Sequence, residues 1–235
     1  MTHPFATLPR RDYRLVLMDP PWAFRTFAGK DRTPTQKNFR EEEDHYPTMS
    51  LAAMQALPVA DIMAKDSCIA MWVVGSHCDA ALALAEAWGC RFITDLFYWA
   101  KQKLVDADQI DLFTGDIPPP RISMGYYTRK QIEPCWLFKR GKGLPVLSHD
   151  VRQLILAPTR EHSRKPPEQY DRLEDLFGPL TGDDGQPRRA ELFSRTTRPG
   201  WDSWGNETGK FQEEAASWKP TNARAPSAKP RARFH

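Results

Sequence analysis

The apolar run from Arg14 to Met18 is stopped by Asp19-Pro20-Pro21-Trp22, and that stop constrains the whole chain. Consecutive prolines have no N–H to give a sheet ladder, so a strand must end there and deliver Asp19 to its carboxyl end. Ser67–Val74, Arg91–Trp99, Pro134–Lys139, Gln153–Ala157 and Arg189–Arg195 read as further strands. Helical spacing runs from Ser50 to about Lys65 and from Pro166 to Phe177. Ser76-x-x-Asp79 resembles a capping box opening a helix through Trp88 that Gly89 closes. Strands alternating with helices predict an α/β layered fold around a mostly parallel sheet. Ligands of such sheets sit beyond the carboxyl ends of the strands, which is where Asp19 to Trp22 fall.

Two stretches resist assignment. Residues 25–45 are polar, with Gly29, Pro34 and the acidic run Glu41–Asp44, and residues 101–130 contain Pro118-Pro119-Pro120. Irregular segments of that length in a compact domain are functional or disordered, and both are expected to overhang the edge that carries Asp19, on the substrate side. The formal net charge of +3 is largely a property of the C-terminus, since Lys219 to His235 hold five Lys/Arg and no Asp/Glu. Residues 210–235 are therefore expected to form a basic, disordered tail after a single domain over 1–209. Such a tail either attracts phosphates or simply solubilises the chain. No stretch approaches the roughly 18 unbroken apolar residues of a membrane span, and no apolar run follows the N-terminal basic residues. Four widely separated cysteines suggest neither a metal cluster nor a disulfide framework, so reduced thiols in a cytoplasmic setting are expected.

The Asp-Pro-Pro-Trp segment suits one chemistry. The exocyclic amine of adenine is a poor nucleophile because its lone pair is delocalised into the ring. A carboxylate and a backbone carbonyl accepting its two hydrogens would draw the nitrogen toward tetrahedral geometry and localise that pair. Asp19 supplies the carboxylate and Pro20 the carbonyl, whose direction the fixed proline φ sets in advance. Trp22 offers a flat face for an unstacked base. No metal is required. A rigid turn with Asp as cap and Trp as packing is the plainer reading of the same four residues.

Several blocks in fixed order resemble the MT-A family, named for the seventy-kilodalton catalytic subunit of eukaryotic mRNA adenosine methyltransferase and including bacterial and phage adenine methyltransferases. They are Leu17–Trp22, His45–Ser50, Met71–Val74, Glu161–Pro166, and Glu191–Arg195 with Pro199-Gly200-Trp201 and Trp204–Glu207. The resemblance covers about Arg14 to Glu207. It implies a Rossmann-like, S-adenosylmethionine-dependent methyltransferase whose catalytic motif precedes the main cofactor-binding segments. It places the catalytic tetrad on Asp19, Pro20, Pro21 and Trp22, with Trp22 and Tyr46 beside the target base. It assigns Asp19, Lys165, Arg195, Asn206 and Glu207 to the cofactor. Glu207 departs from the Gln of the eukaryotic RNA enzymes, and the chain between Arg195 and Trp201 is shorter than theirs.

The implied activity is adenine-N6 methylation of a flipped base, with DNA favoured over RNA as partner because the chain lacks the long N-terminal region of the eukaryotic enzymes. RNA methylation and a non-catalytic, nucleic-acid-binding subunit are the alternatives. Relatives work as monomers, homodimers or heterodimers, and a homodimer is one arrangement that the resemblance allows. Trp201 and Trp204 are read as packing residues, and His162 is left out because the amine sheds its proton only after methylation has made it acidic. Tyr126 and Tyr127 among Arg121, Arg129 and Lys130 suit a nucleic-acid contact, although loop solubility accounts for them nearly as well.

Overall fold

The computed structural model describes residues 2–22, 48–102, 122, 127–161 and 164–212. Its strands are β1 (Tyr13–Met18), β2 (Met63–Trp72), β3 (Arg91–Gln102), β4 (Ile132–Arg140), β5 (Leu154–Pro158), β6 (Arg189–Leu192), β7 (Thr196–Thr197), β8 (Asp202–Trp204) and β9 (Phe211–Gln212). Its α-helices are α1 (Leu51–Gln55), α2 (Cys78–Ala87) and α3 (Glu168–Phe177). A seven-stranded sheet runs in the order β5-β3-β4-β2-β1-β6-β8, and β7 pairs with β9 separately. Only β4 lies antiparallel to its sheet neighbours, β2 and β3; the other pairs are parallel. The mostly parallel α/β expectation therefore holds, and no described helix is long and apolar enough to cross a membrane.

These registers have one consequence for function. The carboxyl ends of β1, β2, β3, β5, β6 and β8 all reach the same edge, together with the start of β4. The chain leaves that edge after Trp22 and after Gln102, so the anchors of both long segments stand where Asp19 stands. Residues 23–47 and most of 103–126 lie outside the described residues.

Alternation along β1 fills a core on each side. Val16 and Met18 join Ile69, Met71, Leu84 and Trp88 on the α2 side, while Leu15 and Leu17 join Ala70, Trp72, Trp99 and Leu173 on the α3 side. Trp72 and Trp99 are fully buried and meet edge to face at 6.5 Å. Their N–H groups donate to Gln169 Oε1 at 2.6 Å and to the Ala157 carbonyl at 2.9 Å, so neither indole leaves a buried donor unmet.

Several boundaries differ from the sequence expectations. The helix opened by Ser50, whose hydroxyl accepts from the Ala53 N–H at 3.2 Å, ends at Gln55 rather than Lys65. Pro58 has no N–H to continue it, and only a 3-10 turn over Val59–Asp61 precedes β2. Ser76 does not cap α2: a 3-10 turn over Gly75–His77 intervenes, and the Ser76 hydroxyl lies 2.9 Å from His77 Nδ1. β6 stops at Leu192 instead of Arg195 because Phe193 turns into the left-handed region at φ 58°. Finally, Phe211 and Gln212 belong to the fold as β9, with the Phe211 N–H donating to the Arg195 carbonyl at 3.0 Å.

The turn after β6 requires Gly205. A Cβ there would lie 2.3 Å from the Ser194 carbonyl oxygen and 2.8 Å from its nitrogen, backbone atoms that cannot step aside. Gly205→Ala is expected to cost about 1–3 kcal/mol by overpacking and lower Tm by about 3–10 °C. Thermal denaturation checks this; an unchanged Tm would show that the β6 and β8 ends can separate freely.

Candidate active site

Met18 ends the strand, and the next residues are held by the backbone. The Trp22 N–H donates to the Pro20 carbonyl at 2.8 Å, and the Met49 N–H donates to the Pro21 carbonyl at 2.9 Å. A carbonyl has two lone pairs, so the Pro20 oxygen keeps capacity for a second donor. Asp19 is left about one-third exposed, with Oδ2 2.5 Å from Lys165 Nζ. The ammonium also lies 3.5 Å from Glu133 Oε2 and 5.7 Å from the centre of the Trp72 ring. Glu133 Oε1 in turn accepts from Lys101 Nζ at 2.5 Å.

Opposite charges thus alternate from Asp19 through Lys165 and Glu133 to Lys101. Burial alone would push the Lys165 pKa down, but Asp19 and Glu133 outweigh it and hold the ammonium above its usual range. Burial would likewise raise the Glu133 pKa, yet Lys165 and Lys101 bring it down to about 2. Both groups are therefore charged at neutral pH. Burial, helped by Lys101 and Lys165, lowers the Lys130 pKa against the pull of Glu133.

On the α3 side of this row lies an open cleft lined by Asp19, Lys165, Gln169, Tyr170, Glu191 and Arg195 among others. Its floor is organised by Glu191 Oε2, which accepts from the Tyr170 hydroxyl at 2.9 Å and lies 2.8 Å from Ser194 Oγ. Arg195 is close enough for its charge to oppose that of Lys165. Just beyond β8, Glu207 binds Lys210 through Oε1 at 2.8 Å. Its Oε2 is buried with no hydrogen-bond partner among the described residues. A buried acceptor of that kind is costly unless a ligand donor meets it.

The donor set fits a ligand with an amino-acid zwitterion at one end and hydroxyl or amine donors at the other. Lys165 would take the carboxylate, Asp19 the ammonium, and Glu207 a hydroxyl or amine. S-Adenosylmethionine has those groups.

The structure brings Asp19, Lys165 and Arg195 around one cleft. Asn206, exposed, and Glu207 follow β8 on the same sheet edge without lining that cleft. Pro20 is buried and Pro21 partly so. Trp22 turns toward the α2 side, where it is 4% exposed with His77 5.7 Å from its ring centre. Tyr46, His162 and Tyr126 lie outside the described residues. Trp201 packs edge to face on Tyr170 at 5.3 Å and donates to Glu174 Oε1 at 2.8 Å. Trp204 sits between Phe5 and Phe193, so both tryptophans are packing residues.

Sequence reasoning missed Lys101 and Glu133, which it placed in an irregular segment and just outside a strand. Their signal was available, as charges at the two strand ends that flank one long insertion. It also missed Gln169, Tyr170 and Glu191, which looked like ordinary helix and strand positions.

The sequence pattern described as MT-A70 matches residues 13–207. The Type II methyltransferase M.MunI of Mycoplasma sp is 30% identical over 213 residues, covering 86% of this chain and 81% of that one. The N(6)-adenine-specific methyltransferase METTL4 of Homo sapiens is 26% identical over 86% of this chain and 39% of its own length. The N6-methyladenosine RNA methyltransferase MTA1 of Pyricularia oryzae is 22% identical over 92% of this chain and 52% of its own. This chain thus spans most of the first relative and about half or less of the other two.

Proposed function

Since the chain belongs to the MT-A70 family, we propose that it transfers a methyl group from S-adenosylmethionine to adenine-N6 in DNA. One observation carries this reading: the Asp19 carboxylate, ion-paired to Lys165, stands at the end of a central strand and lines the cleft whose donors suit the zwitterion. When bound, S-adenosylmethionine supplies an electrophilic methyl group that needs no further activation.

The chain's own residues do the rest. Lys165 has three N–H donors; Asp19 and Glu133 face two of them, and a third remains for a ligand carboxylate. The bond to Lys165 restrains Asp19, so the carboxylate is oriented before an adenine arrives. Asp19 and the Pro20 carbonyl would each accept one N6 hydrogen, which localises the nitrogen lone pair toward the methyl group. After transfer the cationic nitrogen is acidic and sheds its proton to solvent, so no dedicated base is needed. Arg195, Asn206 and Glu207 would bind the nucleoside part of the cofactor.

DNA is preferred because M.MunI, of which this chain covers 81%, is a Type II methyltransferase. RNA remains the second reading, because MTA1 is an RNA methyltransferase by name and matches 92% of this chain. The non-catalytic reading is disfavoured by the intact Asp19-Pro20-Pro21-Trp22 and its ion pair.

The test incubates the protein with tritiated S-adenosylmethionine and, separately, duplex DNA, single-stranded DNA and RNA of mixed sequence, followed by nucleoside digestion. Label in N6-methyladenine from DNA is the expected result. Label only in RNA keeps the site and replaces the substrate, whereas label in no nucleic acid despite measurable cofactor binding would overturn the enzymatic reading.

A further inference from the structure

The Asp19–Trp22 segment divides the catalytic edge into two sides. The cleft with Lys165 lies on the α3 side, while the Trp22 indole belongs to the core on the α2 side. The parallel register of β1 and β2, with Met18 opposite Met71, brings the end of β2 level with Asp19. From there the 3-10 turn folds back, the His77 N–H donating to the Val74 carbonyl at 2.7 Å. His77 thereby comes to lie over Trp22, ring centres 5.7 Å apart and planes inclined by 36°.

Three further observations describe the surface that His77 forms over this core residue. The imidazole is only half-buried, and its orientation is set by the 2.9 Å approach of Ser76 Oγ to Nδ1. Gly75 and Ser76 are exposed, and a Cβ built on Gly75 would meet no atom of the described residues within 4 Å. The Trp22 Nε1–H is buried with no hydrogen-bond partner among the described residues. Charge around the turn is mixed, since Asp79 and, more weakly, Lys130 and Asp95 act on the thiol of Cys78, the residue after His77. A half-buried imidazole backed by a buried indole presents one flat face on which a base can stack.

We propose that His77 contacts the nucleic acid next to the reacting adenine, and that the target strand therefore approaches from the α2 side, opposite the cofactor cleft. This rests on the methyltransferase reading above. His77 is not asked to move a proton; its flat ring and its place over Trp22 do the work. A planar substitute should therefore serve and a small one should not.

The experiment compares wild type, His77→Ala and His77→Phe in tritium transfer to mixed-sequence DNA, with cofactor affinity by calorimetry and DNA affinity by fluorescence anisotropy. His77→Ala is expected to raise the KM for DNA about five- to tenfold, as loss of one aromatic stack would. Cofactor affinity should stay within about twofold, and His77→Phe should recover most of the loss. An unchanged KM and DNA affinity in a folded His77→Ala protein would overturn the proposal. So would a cofactor loss as large as the DNA loss, which would mark a general disturbance of the edge. If the wild type methylates no nucleic acid, the functional reading fails by itself, and the anisotropy comparison still decides whether His77 contacts DNA.

Discussion

Replacing Asp19 by asparagine is expected to lower kcat by about 10³-fold or more while leaving the protein folded. The amide keeps the shape of the side chain, but it loses the charge that makes an acceptor roughly twice as strong as a neutral one. Removing one preorganised group of this kind costs about 10²–10³ in rate, and here the same carboxylate would also hold the cofactor's ammonium. The cost to folding is smaller. Asp19 is about one-third exposed, and Lys165 keeps Glu133 at 3.5 Å. The loss should fall between that of a surface pair and a buried one, about 1–3 kcal/mol. Single-turnover methylation together with a melting curve checks both halves. Turnover near wild type would mean that the chemistry does not run through this carboxylate.

Lys165→Met should produce the complementary result, a cofactor affinity lower by about 10- to 150-fold. That range corresponds to one charge-assisted hydrogen bond of about 1.5–3 kcal/mol. Methionine preserves much of the apolar stem beside Trp72. Glu133 retains Lys101 at 2.5 Å, and Asp19 is exposed enough to stay hydrated, so the variant should fold. Lys165→Arg should rescue poorly. The planar guanidinium is bulkier than an ammonium and does not present three donors from one atom to separate partners. Calorimetric titration with S-adenosylmethionine measures the effect. An affinity within twofold of wild type would leave Lys165 as a counter-ion for Asp19 and nothing more.

How far the sequence disclosed this site depended on whether a residue's neighbours in the chain are also its neighbours in space. Asp19 was legible because prolines end β1 where they stand, whatever the tertiary context. Strand positions followed from apolar runs for the same local reason. The helix after Ser50 was overextended because its spacing suggested one element while Pro58 had already ended it. The stop of β6 at Leu192 could not be read at all, since a left-handed Phe193 is imposed by the close passage of Ser194 past Gly205. The row Asp19–Lys165–Glu133–Lys101 joins four separate segments through the sheet order, which no one-dimensional period reports. The side taken by the Trp22 ring was equally hidden. An Asp-Pro-Pro-Trp turn fixes the backbone, and only the packing of α2 decides where the indole goes.

The two-sided edge carries a kinetic corollary. If one side of Asp19–Trp22 serves the small ligand and the other the polymer, the spent cofactor can leave and a fresh one enter without the polymer letting go. A long strand carrying several target adenines could then be modified at successive sites in one encounter. Processivity would thus follow from a division of the sheet edge by four residues.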